Sequence, residues 1–316
     1  MPRATPRQAW RTIVAARLLA GFFVGAGSAG TAAAASPEFP LMSVDRACER
    51  IGQRLQSVDP ADCRRANFHL GDGASRLRQA LLYKDFPAHG DVFQPRRVLL
   101  IGGIHGDEFS SVSMVFQWMR KLEQERIQPF YWRVIPSANP DGLFANPATR
   151  ENRAGVDLNR NFPSADWNKR ALAYWRSKAG SDKRRFPGKS AMSEPETRWL
   201  VAQIESFKPD AIVSVHAPYG VLDYDGPLRP PERFGYLRLQ PLGVYPGSLG
   251  NYAGVDHKLP VITLELPNAG IMPTAAQSQR IWTDMLNWLA RNLPRERPPL
   301  YERLDDEVWL NQPRDP

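Results

Sequence analysis

The chain reads as an α/β protein built as a single domain, with a twisted, mixed, mostly parallel sheet flanked by helices on both faces. Three observations predict this. Short apolar runs alternate along the chain with longer stretches whose apolar residues recur at helical spacing. The run Val98–Ile101 is continuously apolar, as expected of a strand covered on both faces. Polar residues stand at or just past the ends of three such runs, His105, His216 and Glu265, where an open α/β sheet gathers its ligand site.

The elements follow in order. Residues 41–94 form a lead-in with one helix, Arg46–Val58, and turns at Asp72-Gly73 and His89-Gly90. Arg97–Ile101 is a strand. Glu108–Glu125 is a helix whose Val112, Val115, Phe116, Met119 and Leu122 share a face. Phe130–Ile135 is a strand, and Asn139-Pro-Asp-Gly142 a turn. A helix spans Asp166–Lys178. Ser193-Glu-Pro-Glu196 has the pattern of a capping box with proline in the first turn, so a helix runs from there to about Phe207. Asp210–His216 and Pro260–Leu266 are strands. Pro273–Asn292 is a long helix carrying Ile281, Trp282, Met285, Leu286, Trp288 and Leu289. The expected catalytic domain is 41–296, followed by a proline-rich, charged tail, 297–316.

The formal net charge of the 316 residues is +8, and the four arginines of the first 35 residues leave +4 for the rest. That mild surplus, with no binding motif, argues against a nucleic-acid partner. Residues 1–35 have the form of a signal peptide: Arg3, Arg7 and Arg11, an apolar Leu18–Val24, then small residues ending Thr31–Ser36. An exported protein, periplasmic or secreted, is expected. No later segment is apolar enough to cross a membrane, so no span remains after cleavage. Two cysteines in an exported chain, Cys48 and Cys63, suggest a disulfide.

His105 and Glu108 form His-x-x-Glu just after a strand, among Gly102, Gly103 and Gly106, which permit a tight turn. With His216 they make two nitrogens and one carboxylate, the ligand set of one catalytic zinc ion with an open position. Singly, each has a plainer reading: Glu108 as a helix cap, the histidines as packed residues. His69, His89 and His257 lie in turn-like contexts and read as surface residues. Glu265 sits in the apolar run Val261–Leu266, where a carboxylate costs several kcal/mol unless paired or beside a metal. That makes it a candidate general base, with a buried salt bridge as the alternative. The stretch Arg150–Phe162 is dense in donors, including Arg150, Arg153, Asn159 and Arg160, suited to binding a carboxylate or an oxyanion. Asp157 is placed to orient a ligand histidine through its far nitrogen.

Taken together, His105-x-x-Glu108, Asn139-Pro-Asp-Gly142, Gly155-Val-Asp-Leu-Asn-Arg-Asn-Phe162, His216 and Thr263-Leu-Glu265 resemble the zinc carboxypeptidases of the carboxypeptidase A superfamily. Tyr245–Gly254, leading into the glutamate strand, is most similar to murein peptide amidases, which cut the γ-D-glutamyl–diaminopimelate bond of peptidoglycan peptides. The resemblance implies a metallohydrolase. It implies zinc on His105, Glu108 and His216, Glu265 as general base and Asp157 behind His105. It assigns Asn159 and Arg160 to the substrate's free carboxylate, and Arg153 (or Arg150) to the scissile carbonyl. Tyr245 matches the mobile tyrosine that closes on substrate. The implied substrate is a peptide or muropeptide cut beside a free carboxylate. The competing readings are a general metallocarboxypeptidase releasing C-terminal amino acids, a small-molecule deacylase of the aspartoacylase type, and a non-catalytic wall-binding relative.

Overall fold

The computed structural model describes residues 41–294 apart from Asp91 and Phe93. The expected signal peptide and the tail from 297 lie outside the described residues. A nine-stranded mixed sheet forms the frame, in the order β1-β2-β4-β3-β5-β9-β6-β8-β7. These strands are β1 (His69–Ala74), β2 (Ala80–Phe86), β3 (Arg96–Ile101), β4 (Phe130–Ile135), β5 (Ala211–His216), β6 (Val221–Asp225), β7 (Arg233–Phe234), β8 (Leu237–Leu239) and β9 (Val261–Glu265). The centre, β4-β3-β5-β9, is parallel, and antiparallel pairs close both sides.

The helices are α1 (Val44–Arg54), α2 (Pro60–Arg65), α3 (Phe109–Gln124), α4 (Pro140–Phe144), α5 (Trp167–Ser177), α6 (Pro195–Phe207) and α7 (Ala275–Asn292). Alternation along the strands sorts the core into two layers. Val98 and Leu100 of β3 pack with α1, α3 and α7, where Trp118 lies 5.1 Å and Trp132 5.3 Å from Trp282. Leu99 and Ile101 face the other way, against Leu200, Ile204 and Phe207 of α6. Burial on both faces is what a continuously apolar strand requires.

The lead-in is richer than the sequence suggests. α1 ends at Arg54 and a second helix follows, capped by Asp59. Cys48 of α1 and Cys63 of α2 are bridged. Closing a loop of that length contributes roughly 3 kcal/mol in the chain-entropy model. Asp72-Gly73 is not a turn but lies inside β1. Gly71 is there because a Cβ would overlap the Trp199 indole of α6.

Two helix starts differ from expectation. Ser193 does not cap α6: Glu194 holds the cap position, and no side chain caps the helix. The Ser193 hydroxyl instead donates to Glu194, whose carboxylate is taken by Arg76 and Asn152. A capping box does form at α7, between Thr274 and Gln277. Among the described residues no helix is long and apolar enough to cross a membrane.

Candidate metal centre and substrate cleft

β3 delivers the chain into a tight loop ahead of α3. Gly103 adopts φ +62°, and a Cβ on Gly106 would overlap the backbone of Gly142 and Leu143. The loop therefore needs glycine at both positions, and it swings His105 back over the strand ends. Asn139 secures it. Its Oδ1 accepts from Gly142 N–H and its Nδ2 donates to the Arg150 carbonyl, which also accepts from Gly106 N–H. Asn139-Pro-Asp-Gly142 is thus the capped start of α4 rather than a free turn, and it ties the His105 loop to Arg150.

His105, Glu108 and His216 come together, each buried, with one ligand atom apiece all within 4.8 Å of one another. His105 Nδ1 lies 2.7 Å from Glu108 Oε1, and His216 Nδ1 lies 3.0 Å from Glu108 Oε2. The far nitrogens are held from outside. Asp157 Oδ1 is 3.1 Å from His105 Nε2, and the Ser214 hydroxyl 2.9 Å from His216 Nε2. An ionised Asp157 only accepts, so it keeps the His105 proton on Nε2 and turns the Nδ1 lone pair inward. His216 Nδ1 lies 3.2 Å from His105 Nδ1 beside the Glu108 carboxylate. Two imidazoles and a carboxylate brought to one buried point are donors that suit zinc. Glu108 does not cap α3 with its side chain. Burial would raise its carboxyl, but the two imidazoles hold it well below the usual range.

Glu265 faces this group by register. β5 and β9 run parallel with His216 opposite Glu265, so the two side chains rise from adjacent strands on one face. Glu265 is only 6 % exposed, and among the described residues its Oε2 has no hydrogen-bond partner. Burial raises its carboxyl above the ordinary value, partly offset by the neighbouring imidazoles. No arginine or lysine among the described residues forms an ion pair with it, which sets aside the salt-bridge alternative.

Arg150 and Arg153 part company. Arg150 lines the cleft, its Nε donating to Asp157 Oδ2 at 3.0 Å and its Nη1 lying 3.6 Å from Glu108 Oε1. Burial disfavours its charge, but Asp157 and Glu108 outweigh this and hold it protonated. Arg153 is exposed on the turn Asn152–Val156 and lines a separate depression with Arg50, Leu77 and Asp141. The structure therefore places Arg150, and not the expected Arg153, in the cleft. The reason is the turn: Asn152 Oδ1 accepts from Ala154 and Val156 N–H and folds Arg153 outward. Accordingly, Arg150→Ala is expected to lower kcat/KM about 100- to 1,000-fold, as loss of an oxyanion donor does. Arg153→Ala should change it less than about threefold; steady-state kinetics of the pair checks this.

Asp157 N-caps a 3-10 turn, Leu158–Arg160, which aims Asn159 and Arg160 into the same cleft. Asn159 Oδ1 accepts from Leu249 N–H. The Arg160 guanidinium lies 4.3 Å from the Tyr245 ring, and Tyr245 donates its hydroxyl to the Leu242 carbonyl. Of the other histidines, His69 and His89 are exposed, and His257 is half-buried against Tyr252. Sequence reasoning missed Ser214, which strand alternation places two residues before His216 on its own face, and the acidic wall formed by Asp223 and Asp225 of β6. The pattern Val221-Leu-Asp-Tyr-Asp225 carries a period-two signal for that wall.

A parallel-centred α/β sheet with a buried His-Glu-His donor group and a carboxylate beside it defines a metallohydrolase, and the family's sequence pattern, zinc carboxypeptidase, matches residues 89–225. The chain belongs to the zinc carboxypeptidase family. It is 34 % identical over 203 residues to murein peptide amidase A of Vibrio campbellii, covering 62 % of this chain and 77 % of that one. It is 32 % identical over 197 residues to the amidase of Escherichia coli K12, covering 60 % and 79 %. Among solved structures it is similar to murein-tripeptide amidase MpaA of E. coli O157, with TM-score 0.50 and 28 % identity over 72 % of this chain and 92 % of that one. The matched family stretch ends before Glu265, whose place rests on the strand register.

Proposed function

We propose that this chain is an exported zinc peptide amidase that cleaves an amide bond beside a free carboxylate in peptidoglycan stem peptides. The observation that carries the reading is the convergence of His105, Glu108 and His216 on one point, with the unpartnered Glu265 oxygen on the adjacent strand. The amidases to which the chain is similar support the substrate class. The basic and apolar N-terminal pattern supports export, as does the Cys48–Cys63 bridge, since disulfides persist in oxidising compartments.

In this reading His105, Glu108 and His216 hold the zinc. When bound, the ion would polarise the amide carbonyl as a Lewis acid and lower the pKa of a water held there. Arg160 and Asn159 fix the substrate's terminal carboxylate. Arg150, kept charged by Asp157, lies against the carbonyl oxygen as negative charge develops there. Glu265, whose carboxyl is raised by burial, takes a proton from the attacking water and passes it to the departing amine. Asp157 moves no proton; it fixes the His105 tautomer and the Arg150 fork together. Tyr245 covers Arg160 and would shift when a carboxylate arrives.

The test is incubation of the zinc-loaded protein with muropeptides and with a C-terminal peptide library, read by mass spectrometry. Zinc-dependent release at the γ-D-glutamyl–diaminopimelate bond is expected. Cleavage confined to ordinary C-terminal peptides would assign the chain to the general carboxypeptidases instead.

A further inference from the structure

The positive charge of the chain is concentrated in one stretch. Residues 169–189 carry eight lysines and arginines against one acid, Asp182. Beyond residue 35 the chain nets only +4, so what lies outside this stretch is slightly acidic. α5 presents Lys169, Arg170 and Arg176, and Lys178 stands at its C-cap. The 3-10 turn Lys183–Arg185 follows, and Lys189 completes the set. All eight are exposed. On α5, Lys169, Ala173 and Arg176 are spaced i, i+4, i+7 and share one solvent-facing stripe. Among the described residues Arg170 pairs with Asp166, Arg184 with Asp107 and Arg185 with Asp182, and the other five form no ion pair. Like charges gathered on one face repel, so the fold gains no stability from them.

This face adjoins the cleft. Arg184 Nη2 donates to Asp107 Oδ2 at 2.6 Å, and Asp107 stands between His105 and Glu108 in the chain. Arg185 lines the cleft mouth itself. The aromatic residues of the stretch are turned inward. Trp175 meets Phe186 at 4.9 Å between ring centroids and donates its Nε1 proton to the Asp182 carbonyl, and Tyr174 meets Tyr245 at 5.7 Å. No ring is left to stack on a nucleobase. None of the large apolar side chains of the stretch is exposed, so the face has nothing to bury in a bilayer. It is a hydrated cationic surface beside a hydrolase cleft, and its complement is an anionic polymer that runs past the cleft mouth.

We infer that this face binds polymeric peptidoglycan through the free carboxylates of its stem peptides. The inference rests on the amidase reading above and narrows its substrate to the wall itself rather than a released fragment. A γ-linked glutamyl residue keeps its α-carboxylate free and diaminopimelate adds another, so each stem of the polymer repeats the negative charge. A single fragment brings one such set of charges. The polymer brings neighbouring stems to α5 while one stem is cut. Each exposed contact is weak, and their number gives the affinity.

The test pairs sedimentation with turnover. The zinc-loaded protein is mixed with insoluble peptidoglycan, with the same material after its carboxylates are converted to amides, and with phosphatidylglycerol vesicles. The tightest binding is expected on the untreated polymer. It should fall at least about tenfold as salt rises from about 0.1 M to about 1 M and the Debye length shrinks from about 10 Å to about 3 Å. The combined variant Lys169→Gln, Arg176→Gln, Lys183→Gln, Lys189→Gln should lose about tenfold in binding and in kcat/KM on the polymer. It should cut a free tripeptide with the same γ-D-glutamyl–diaminopimelate bond within about twofold of wild type, since none of the four touches the cleft. Equal binding to untreated and amidated polymer, or equal binding by wild type and variant, overturns the inference, as does tighter binding to the vesicles. If charge-dependent binding to the polymer holds but neither polymer nor tripeptide is cut, the amidase reading fails while the binding surface stands.

Discussion

Replacing Glu265 with glutamine is expected to lower kcat about 1,000-fold while leaving the fold and the metal in place. Glutamine keeps the size of the side chain and removes the proton acceptor, and general-base groups typically contribute 100- to 10,000-fold. Glu265 Oε2 makes no hydrogen bond that the fold depends on, so the substitution breaks no stabilising contact. Burying a neutral amide where a carboxylate stood removes a desolvation cost. Thermal stability should therefore be unchanged or slightly higher. Single-turnover kinetics with a melting curve reads both. A variant that retains more than a tenth of wild-type kcat removes Glu265 from proton transfer.

The second large effect is on stability as well as activity. The three donors are buried together, with two imidazole nitrogens 3.2 Å apart beside the Glu108 carboxylate. An ion there binds the native state and not the unfolded chain, so it stabilises by about 4 kcal/mol at a thousandfold excess over Kd. For a domain of this size that is a Tm shift of roughly 8–16 °C. A chelator should abolish hydrolysis and lower Tm by that amount, and added zinc should restore both. Differential scanning calorimetry with and without chelator, paired with the activity assay, is the check. Activity that persists through complete chelation contradicts the metal requirement.

The centre of the fold was legible because its signals were strong and local. Val98–Ile101 is an unbroken apolar run, Ala211–Val215 is apolar but for Ser214, and α3 and α7 repeat apolar residues over four turns or more. The edges were not. β1 reads His-Leu-Gly-Asp-Gly-Ala, a sequence with turn chemistry, and it is a strand because β2 pairs with it and Trp199 packs over Gly71. β7 and β8 have two and three residues, too few for any period to show. At the site, His105, Glu108, His216 and Glu265 could be proposed from type and spacing because strand ends gather at one edge. The choice between Arg150 and Arg153 could not, because two arginines three residues apart in a loop are equivalent until the Asn152 turn gives them direction. The Ser193 motif failed for a similar reason: its partner carboxylates were taken by Arg76 and Asn152, residues distant in sequence.

Zinc content of purified variants, measured by mass spectrometry of the metal with X-ray absorption at its edge, bears most directly on the central claim. The wild type and Glu265→Gln should each carry about one zinc per chain, bound by two imidazoles and a carboxylate. His105→Ala, Glu108→Ala and His216→Ala should each lose most of it. A full zinc complement and unchanged spectrum in His216→Ala would contradict the assignment of these three side chains to one ion.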